Sequence, residues 1–524
     1  MKKEKQMTAP PAADASFDPP RNWKVIHWKA LWQQVRRLQV RIAKAIKNGD
    51  RRKASALQWL LTHSRAAKLL AVRRVTTNRG AKTPGVDKVI WRTDRQKFQA
   101  ADNLKRHGYK PKPLRRIYIP KKNGKLRPLS IPTVHDRAMQ ALHALALIPV
   151  AETWADPYSY GFRERRSCAD ALEHVHLVLC KKRSPQWVLE GDIRACFDEI
   201  GHMWLLQHVL MDRQILRKWL KAGYWEKGQL FPTRKGTPQG GVISPILANI
   251  ALDGMQRAIS QAVSKTGDKV NFVRYADDFI VTGATQELLE QKVKPALTAF
   301  LTPRGLELSE QKTVITHINK GFNFLGHTVR KFGDKLLTTP AKSNVKAFRD
   351  KIRLCINSAL ALPQELLLRQ LNSIIRGWAN YYRHGAAKRA FARLDYHVFW
   401  QLWRWANRRH PDKPANWKRR KYFSAAKGVF SVRLTKEPGK SQVLALYKAA
   451  STKIQRHIKI RGAANPYDPD YTRYFETRRP QRKRWRQTAG NAPTPQSPGS
   501  TRIVAHWLQF AAACPHQGAP VGEA

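Results

Sequence analysis

The sequence predicts an α+β fold split into several domains, and three observations carry that expectation. Short runs of β-branched and aromatic residues around Gly and Asp turns recur through the first two thirds of the chain, the pattern of strands and hairpins. Beyond about residue 340 the apolar residues fall at helical spacing in three successive stretches. At 524 residues the chain is too long for one ordinary hydrophobic core.

Taken in order, residues 1–20 are rich in Pro and Ala and read as a disordered tail. A helical extension is expected over 21–75. From Trp28 the apolar Leu31, Trp32, Val35, Leu38, Ile42, Ala45 and Ile46 keep helical spacing. Arg36, Arg37, Arg41, Lys44 and Lys47 lie on the other side, and Asn48-Gly49 ends the run. That basic face suits a solvated surface and an RNA contact equally. A loop over 78–87 follows, then Ile117-Tyr118-Ile119 and Leu129-Ser130-Ile131 read as strands joined at Asn123-Gly124. Lys121, Lys122, Lys125 and Arg127 crowd the tip.

Three further stretches carry chemistry. In VLEGDIRACFDEI (Val188 to Ile200) an apolar strand delivers Asp192, with Phe197 and Asp198 beyond it. In KGTPQGGVISPILANIAL (Lys235 to Leu252), Gly236, Gly240 and Gly241 let backbone approach a ligand closely, and Ser244-Pro245 opens a helix. In FVRYADDFIVTG (Phe272 to Gly283) two apolar strands flank Asp277 and Asp278 at a hairpin turn. Adjacent carboxylates in apolar surroundings repel each other unless a cation sits between them, and a hard, oxygen-ligated divalent ion such as Mg²⁺ is that cation. Asp192, Asp277 and Asp278, with the backbone carbonyl of Ile193, suffice to hold two such ions about 3.5–4 Å apart, the arrangement that serves nucleotidyl transfer. Mn²⁺ meets the same ligand chemistry. The basic tip at Lys121 and Arg127 would clamp a triphosphate.

Composition narrows the partners. Ninety-seven Lys plus Arg against 37 Asp plus Glu leave a formal net charge of +60, which demands a polyanion. Seventeen Trp and 14 Tyr among the basic residues favour nucleic acid, because aromatic faces stack on bases while cations neutralise phosphates. No apolar run reaches the 18 or so residues that cross a bilayer, and no membrane partner is expected. Five scattered cysteines without a CxxC pair read as reduced thiols of a cytoplasmic protein.

The series RPLSIPT, SYGFR (Ser159 to Arg163), GDIRACFD, GTPQGGVISPILANI, YADD, LSEQKT (Leu308 to Thr313) and FLGH (Phe324 to His327) resembles, in order and spacing, the reverse-transcriptase blocks of bacterial group II intron-encoded proteins. The resemblance spans roughly residues 25 to 480. It implies a right-hand polymerase, with fingers and a palm built on an antiparallel sheet over 76–335, then an α-helical thumb or maturase domain over 336–409. On the matching positions it implies Asp192, Asp277 and Asp278 as catalytic, metal-binding residues for two Mg²⁺ ions. Phe197 falls at the steric gate against a ribose 2′-hydroxyl. Lys121, Arg127 and Gln239 fall at nucleotide contacts, and Lys312 at a proton donor to pyrophosphate. Gly240, Gly241 and Tyr275 fall along the template and primer.

The thumb shows three apolar stripes: Val345, Phe348, Ile352, Cys355 and Ala359; Leu367, Leu371, Ile374, Trp378 and Tyr381; Phe391, Leu394, Val398, Leu402 and Trp405. These read as core. From Arg376 to Arg486, 29 Lys plus Arg face 6 Asp plus Glu. The segment IIRGWANYYRHG (Ile374 to Gly385) resembles the maturase motif, which implies RNA contacts from Arg376, Trp378, Tyr381, Tyr382 and Arg383. HPDKPANWKRRKYF (His410 to Phe423) and ANPYDPDYTRYF (Ala464 to Phe475) resemble the family's DNA-binding region, expected over 410–488. Many relatives continue into a zinc-stabilised HNH endonuclease with paired CxxC motifs. Residues 489–524 depart from it, with Cys514-Pro515-His516 as the only metal-like trace, and read as a disordered tail without nicking activity.

The function so implied is an RNA-directed DNA polymerase and maturase that binds its intron RNA, promotes splicing, and copies RNA into cDNA from dNTPs on a DNA target and primer. An RNA-binding splicing factor with vestigial polymerase activity is the alternative. The intact acidic triad favours the enzyme.

Overall fold

The computed structural model describes residues 22–478, apart from 121–123, 125, 265–266, 425–427 and 438–439. The two expected tails, Lys121, Cys514 and His516 therefore lie outside the described residues.

Three helices open the fold: α1 (Trp28–Lys47), α2 (Arg51–His63) and α3 (Arg65–Thr76). The stop read at Asn48-Gly49 is met, with Asn48 as the C-cap of α1. Asp50 and Ser64 cap the next two helices by accepting the backbone N–H of Lys53 and Ala67. Val35, Ile42, Leu57, Leu61, Leu70 and Val72 share one continuous core with the middle of the chain. The extension is thus an integral layer of the fold.

After α4 (Asp94–Asp102), β1 (Leu114–Pro120) and β2 (Leu126–Ile131) form the basic hairpin. The central α5 (Val134–Trp154) is buried along almost its whole length, and α6 (Cys168–Leu179) precedes β3 (Trp187–Asp192). Short helices α7 (Cys196–Glu199), α8 (His202–His208) and α9 (Arg213–Leu220) lead to β4 (Tyr224–Glu226) and β5 (Gln229–Phe231). The hairpin joins these strands in a sheet ordered β2-β1-β4-β5, with β4 parallel to β1.

Helices α10 (Ser244–Leu252) and α11 (Met255–Ala262) precede β6 (Asn271–Tyr275) and β7 (Asp278–Gly283). A helical run then comprises α12 (Gln286–Leu288), a π-turn over Leu289–Val293 and α13 (Lys294–Leu301). It leads to β8 (Val314–His317), and β6-β7-β3-β8 form an antiparallel sheet. Leu189, Phe279 and Val281 face the helical core on one side; Val188, Val273 and Ile280 face a second cluster on the other. That alternation is the period-2 pattern of a sheet covered on both faces.

Strands β9 (Phe322–Phe324), β10 (His327–Phe332) and β11 (Lys335–Pro340) make a three-stranded bridge to the last third of the chain. There α14 (Lys342–Asn357), α15 (Gln364–Tyr382) and α16 (Lys388–Arg409) pack around their own core, joined by α17 (Ala415–Tyr422) and by residues flanking the hairpin β12 (Ser431–Glu437) and β13 (Lys440–Ala445). The third expected stripe lies in that core, and so do Phe348, Ile352 and Ala359 of the first, with Cys355 at its edge and Val345 outside it. The second is rotated by about one residue: Leu367, Leu368, Leu371, Ile375, Ala379 and Tyr382 are buried, while Ile374, Trp378 and Tyr381 sit at the edge.

The last described tract, which contains α18 (Thr472–Thr477) and the stretch that resembles a DNA-binding region, folds back across the molecule. Tyr467 is buried, donates to Glu164 Oε2 at 2.6 Å and lies under the Arg36 guanidinium at 4.2 Å. Lys47 pairs with Asp468 at 2.9 Å, so part of the basic face of α1 is taken up by the chain itself. Buried Asp170 gathers the strap, accepting from Arg478 at 2.7 Å, His457 at 2.9 Å and the Ile460 backbone at 2.8 Å. Charge-assisted bonds in so little water are strong.

Buried His143, His174 and His327 have their pKa values pushed down by burial, to about 4, 3 and 4. Their unfolded values lie near 6.5, so the unfolded chain takes up protons that the native state refuses. The stability this provides is full above pH 6.5 and falls away between pH 6.5 and 4, by about 3 kcal/mol for each group. Thermal melts over that range are expected to drop steeply. His327→Gln should flatten the slope, and an unchanged slope would remove His327 from the account.

Candidate active site

The register of β3 against β7 pairs Asp192 with Asp278 directly. The β6–β7 hairpin closes on the pair Tyr275 and Asp278, leaving Ala276 and Asp277 as a two-residue turn with Ala276 at φ 61°. The three aspartates expected from the sequence thus meet at one end of the sheet. Asp192 is 7% exposed, and its backbone carbonyl accepts the Ser309 N–H at 2.8 Å. Ile193 bridges to Leu308 across that junction and is buried.

What holds the turn in place was not read from the sequence. Arg274, wholly buried, forms an ion pair with Asp253 and donates to the Ala276 carbonyl at 3.3 Å and to Asn249 Oδ1 at 3.2 Å. Asn249 in turn donates to the Gly161 carbonyl at 2.9 Å. The Tyr158 to Gly161 backbone runs along β6, and a Cβ on Gly161 would stand 2.2 Å from the Ala276 nitrogen. The motifs SYGFR, ILANI and YADD therefore form one assembly. The signal was there, in Arg274 beside the aspartates and Asp253 one residue past α10, but only contact could pair them.

Lys312 reaches Asp192 Oδ2 at 2.9 Å, which places its ammonium on one of the three aspartates. Gln239 donates to Asp198 Oδ2 at 2.8 Å. Phe197 meets Phe162 edge-on at 6.1 Å, and both rings border a crevice with Cys196, Ala248, Asn249, Ala276 and Asp277. Burial raises the Cys196 thiol well above its ordinary pKa, with the Asp277 charge adding to it, so the thiol stays protonated. On the other side of the strand pair, half-buried Glu190 accepts from the Asn323 backbone at 3.3 Å and is pushed up to about 7 by burial.

The glycine-rich loop has a second use. A Cβ on Gly240, at φ 119°, would stand 2.8 Å from the Ser130 carbonyl, and Ser130 N–H donates to the Gln239 carbonyl at 2.8 Å. The close approach that Gly240 permits is to β2, and Gly241 packs against Ser244 Oγ. Arg127 lies in β2 opposite Ile119. Tyr275 ends β6, half-buried.

The residues expected to touch RNA divide. Tyr382 is 3% exposed and donates to the Gly326 carbonyl at 3.2 Å, and the Tyr381 hydroxyl donates to Leu325 at 2.7 Å. Trp378 stacks on Phe348 at 4.7 Å. The two tyrosines fasten α15 to the FLGH turn, and Trp378 packs it against α14; Tyr382 is buried, while Trp378 and Tyr381 stay half-buried. Arg376 lies over the Tyr447 ring at 4.8 Å, and Arg383 donates to Gln455 at 2.7 Å.

The oxygen donors fit a divalent metal. Among the described residues no group of three or more His, Cys, Asp or Glu is placed to hold a metal ion. Mg²⁺ characteristically binds through one or two carboxylates together with substrate phosphates. The ammonium of Lys312 on Asp192 shows that the site already attracts positive charge.

Comparison with known proteins agrees with this geometry. The family model for reverse transcriptase (RNA-dependent DNA polymerase) matches residues 119–329, that for the N-terminal domain of reverse transcriptase 23–104, and that for the group II intron maturase-specific domain 345–423. Protein YkfC of Escherichia coli K12 is 36% identical over 305 residues, 49% of this chain and 78% of that protein. The group II intron-encoded protein LtrA of Lactococcus lactis is 29% identical over 426 residues, 63% of this chain and 70% of that protein. An uncharacterized 91 kDa protein in the cob intron of Schizosaccharomyces pombe is 28% identical over 425 residues, 63% and 51% of the two chains. No helix among the described residues is long and apolar enough to cross a membrane. With polymerase and maturase regions in this order around the paired aspartates, the chain belongs to the group II intron-encoded reverse transcriptases, RNA-directed DNA polymerases that carry a maturase domain.

Proposed function

We propose that Asp192, Asp277 and Asp278 are the catalytic carboxylates, holding two Mg²⁺ ions with help from the Ile193 carbonyl, and that the chain copies its own intron RNA into cDNA after promoting its splicing. The observation that carries the reading is the strand register, which sets Asp192 opposite Asp278 with Asp277 in the adjoining turn. The metal, when bound, lowers the pKa of the primer 3′-hydroxyl and stabilises charge on the leaving pyrophosphate.

The remaining roles belong to side chains. Arg127 neutralises triphosphate charge from β2. Phe197, backed by Phe162, crowds the ribose 2′ position. Gln239, oriented by Asp198, lines the nascent pair beside Gly240, Gly241 and Tyr275. Lys312 leaves Asp192 as the carboxylate is engaged and donates its proton to pyrophosphate. The target DNA, primer and dNTPs complete the set of partners. The proposed partition keeps fingers and palm at 76–335, thumb at 336–409 and a C-terminal region at 410–488.

The test is primer extension on poly(rA)/oligo(dT) with Mg²⁺, beside splicing of the intron RNA. Incorporation by the wild type is expected. A folded, RNA-binding protein that splices but incorporates nothing would select the vestigial-polymerase alternative. Lys312→Ala should slow single-turnover incorporation by about 10²–10⁴-fold with little change in dNTP affinity; a rate within twofold of wild type would remove its proton from the mechanism.

A further inference from the structure

The outer face of α16 is unlike the rest of the thumb surface. Arg389, Arg393, Tyr396, Trp400, Arg404 and Asn407 are all exposed and recur at 4, 3, 4, 4 and 3 residues, one continuous stripe along a helix. Tyr396 is 68% exposed and Trp400 42%. Their rings stand 6.1 Å apart at 71°, so each keeps a face free of the other. Single exposed apolar residues are ordinary, but a cluster of large rings marks a contact surface.

The charge around the rings has one sign. From α14, Arg349 donates to His397 at 3.2 Å. Burial, and then the charges of Arg349, Arg353 and Arg404, push the His397 pKa down, which shows that these guanidiniums gather beside the stripe. The acidic side chains nearby are engaged: Asp395 turns inward to accept the Ala449 and Ala450 N–H groups at 2.7 and 2.9 Å, and Asp350 pairs with Arg353 at 3.3 Å. A protein interface tends to exclude charge from its centre, whereas here cations flank the rings at both ends. A second copy would bring the same positive face. Membrane docking needs a continuous apolar face, which the four arginine and asparagine positions of the stripe interrupt. Arginine beside an open aromatic ring suits a phosphate chain whose unpaired bases stack.

We propose that this stripe is a platform on which Tyr396 and Trp400 stack unpaired bases of a structured RNA while Arg389, Arg393 and Arg404 hold the flanking phosphates. The inference rests on the maturase reading of the domain, and names the surface and the RNA feature it takes. The stripe is distinct from Trp378, Tyr381 and Tyr382, whose rings pack against α14 and the FLGH turn.

The test uses the full chain and two fluorescein-labelled RNAs, a hairpin with an unpaired purine loop and a blunt duplex of the same stem, with binding read by anisotropy. Replacing both rings (Tyr396→Ala with Trp400→Ala) is expected to weaken loop binding about tenfold or more. Duplex affinity, the melting temperature and primer extension on poly(rA)/oligo(dT) should stay at wild-type values. The conservative pair, Tyr396→Phe with Trp400→Phe, should retain loop binding. Loop affinity unchanged in the Ala pair, or an equal loss on loop and duplex, would overturn the proposal while leaving the maturase reading intact. A wild type that binds neither RNA would overturn both, and a shift in oligomeric state in the Ala pair would reassign the stripe to a protein contact.

Discussion

Asp277→Ala is expected to reduce incorporation on poly(rA)/oligo(dT) by at least about a thousandfold while RNA binding and splicing stay near wild type. Asp277 sits in the two-residue turn, joined to the strand that bears Asp278, and offers oxygen where a divalent ion must be held. Loss of a ligand forfeits several kcal/mol of transition-state stabilisation, and each 1.36 kcal/mol is tenfold in rate. Asp277 itself is half-buried at the sheet's end, so the melting temperature should move little. Splicing chemistry belongs to the RNA and its own metals. Measuring both activities on one preparation decides the matter: loss of splicing together with polymerisation would show that the two surfaces are not separable. Rates persisting within tenfold of wild type would remove Asp277 from the metal site.

Arg274→Met is expected to damage both stability and activity, for separable reasons. The guanidinium is wholly buried against Asp253, and breaking one side of a buried pair costs about 3–5 kcal/mol because the other charge is stranded. The same group donates to the Ala276 carbonyl, which fixes the aspartate turn. Adding Asp253→Leu removes the stranded charge, so the double variant should regain most of the lost stability. It should not regain polymerase activity, because the turn is still unsupported. Denaturant melts and primer extension on the four members of this cycle check the claim. A double variant restored in both properties would make Arg274 purely structural.

Much of the site was legible because it is local. Asp277 and Asp278 are neighbours in a hairpin whose two apolar strands are readable from β-branched and aromatic residues, and Asp192 ends a third such strand. Lys312 was half legible: its position suggested the site, but reach from β8's approach to Asp192 needs the folded sheet. Arg274 was missed because a basic residue within a strand carries no mark of the Asp253 it will meet 21 residues away. The glycines of the 235–241 loop, which the sequence offers for close approach to a ligand, stand close to other parts of the chain itself: Gly236 to the Asp198 backbone and Gly240 to Ser130 of β2.

The thumb shows the limit most clearly. Helical periodicity finds each helix, but it leaves the buried face uncertain by about one residue when large rings flank the stripe, as on α15. That Tyr381 and Tyr382 meet the turn between β9 and β10, and that Trp378 stacks on Phe348 of α14, is not visible in sequence. The fold-back of the tract around 457–478 is invisible in sequence for the same reason, since Glu164, which accepts from Tyr467, and Asp170, which accepts from Arg478, lie some 300 residues earlier. Short-range pattern and summed charge were enough for the α+β class, the order of polymerase and maturase regions, the demand for a polyanion and the choice of three candidate carboxylates. Only the tertiary structure decided which aromatic and basic side chains remain open to a partner, because that depends on what the rest of the chain has already covered.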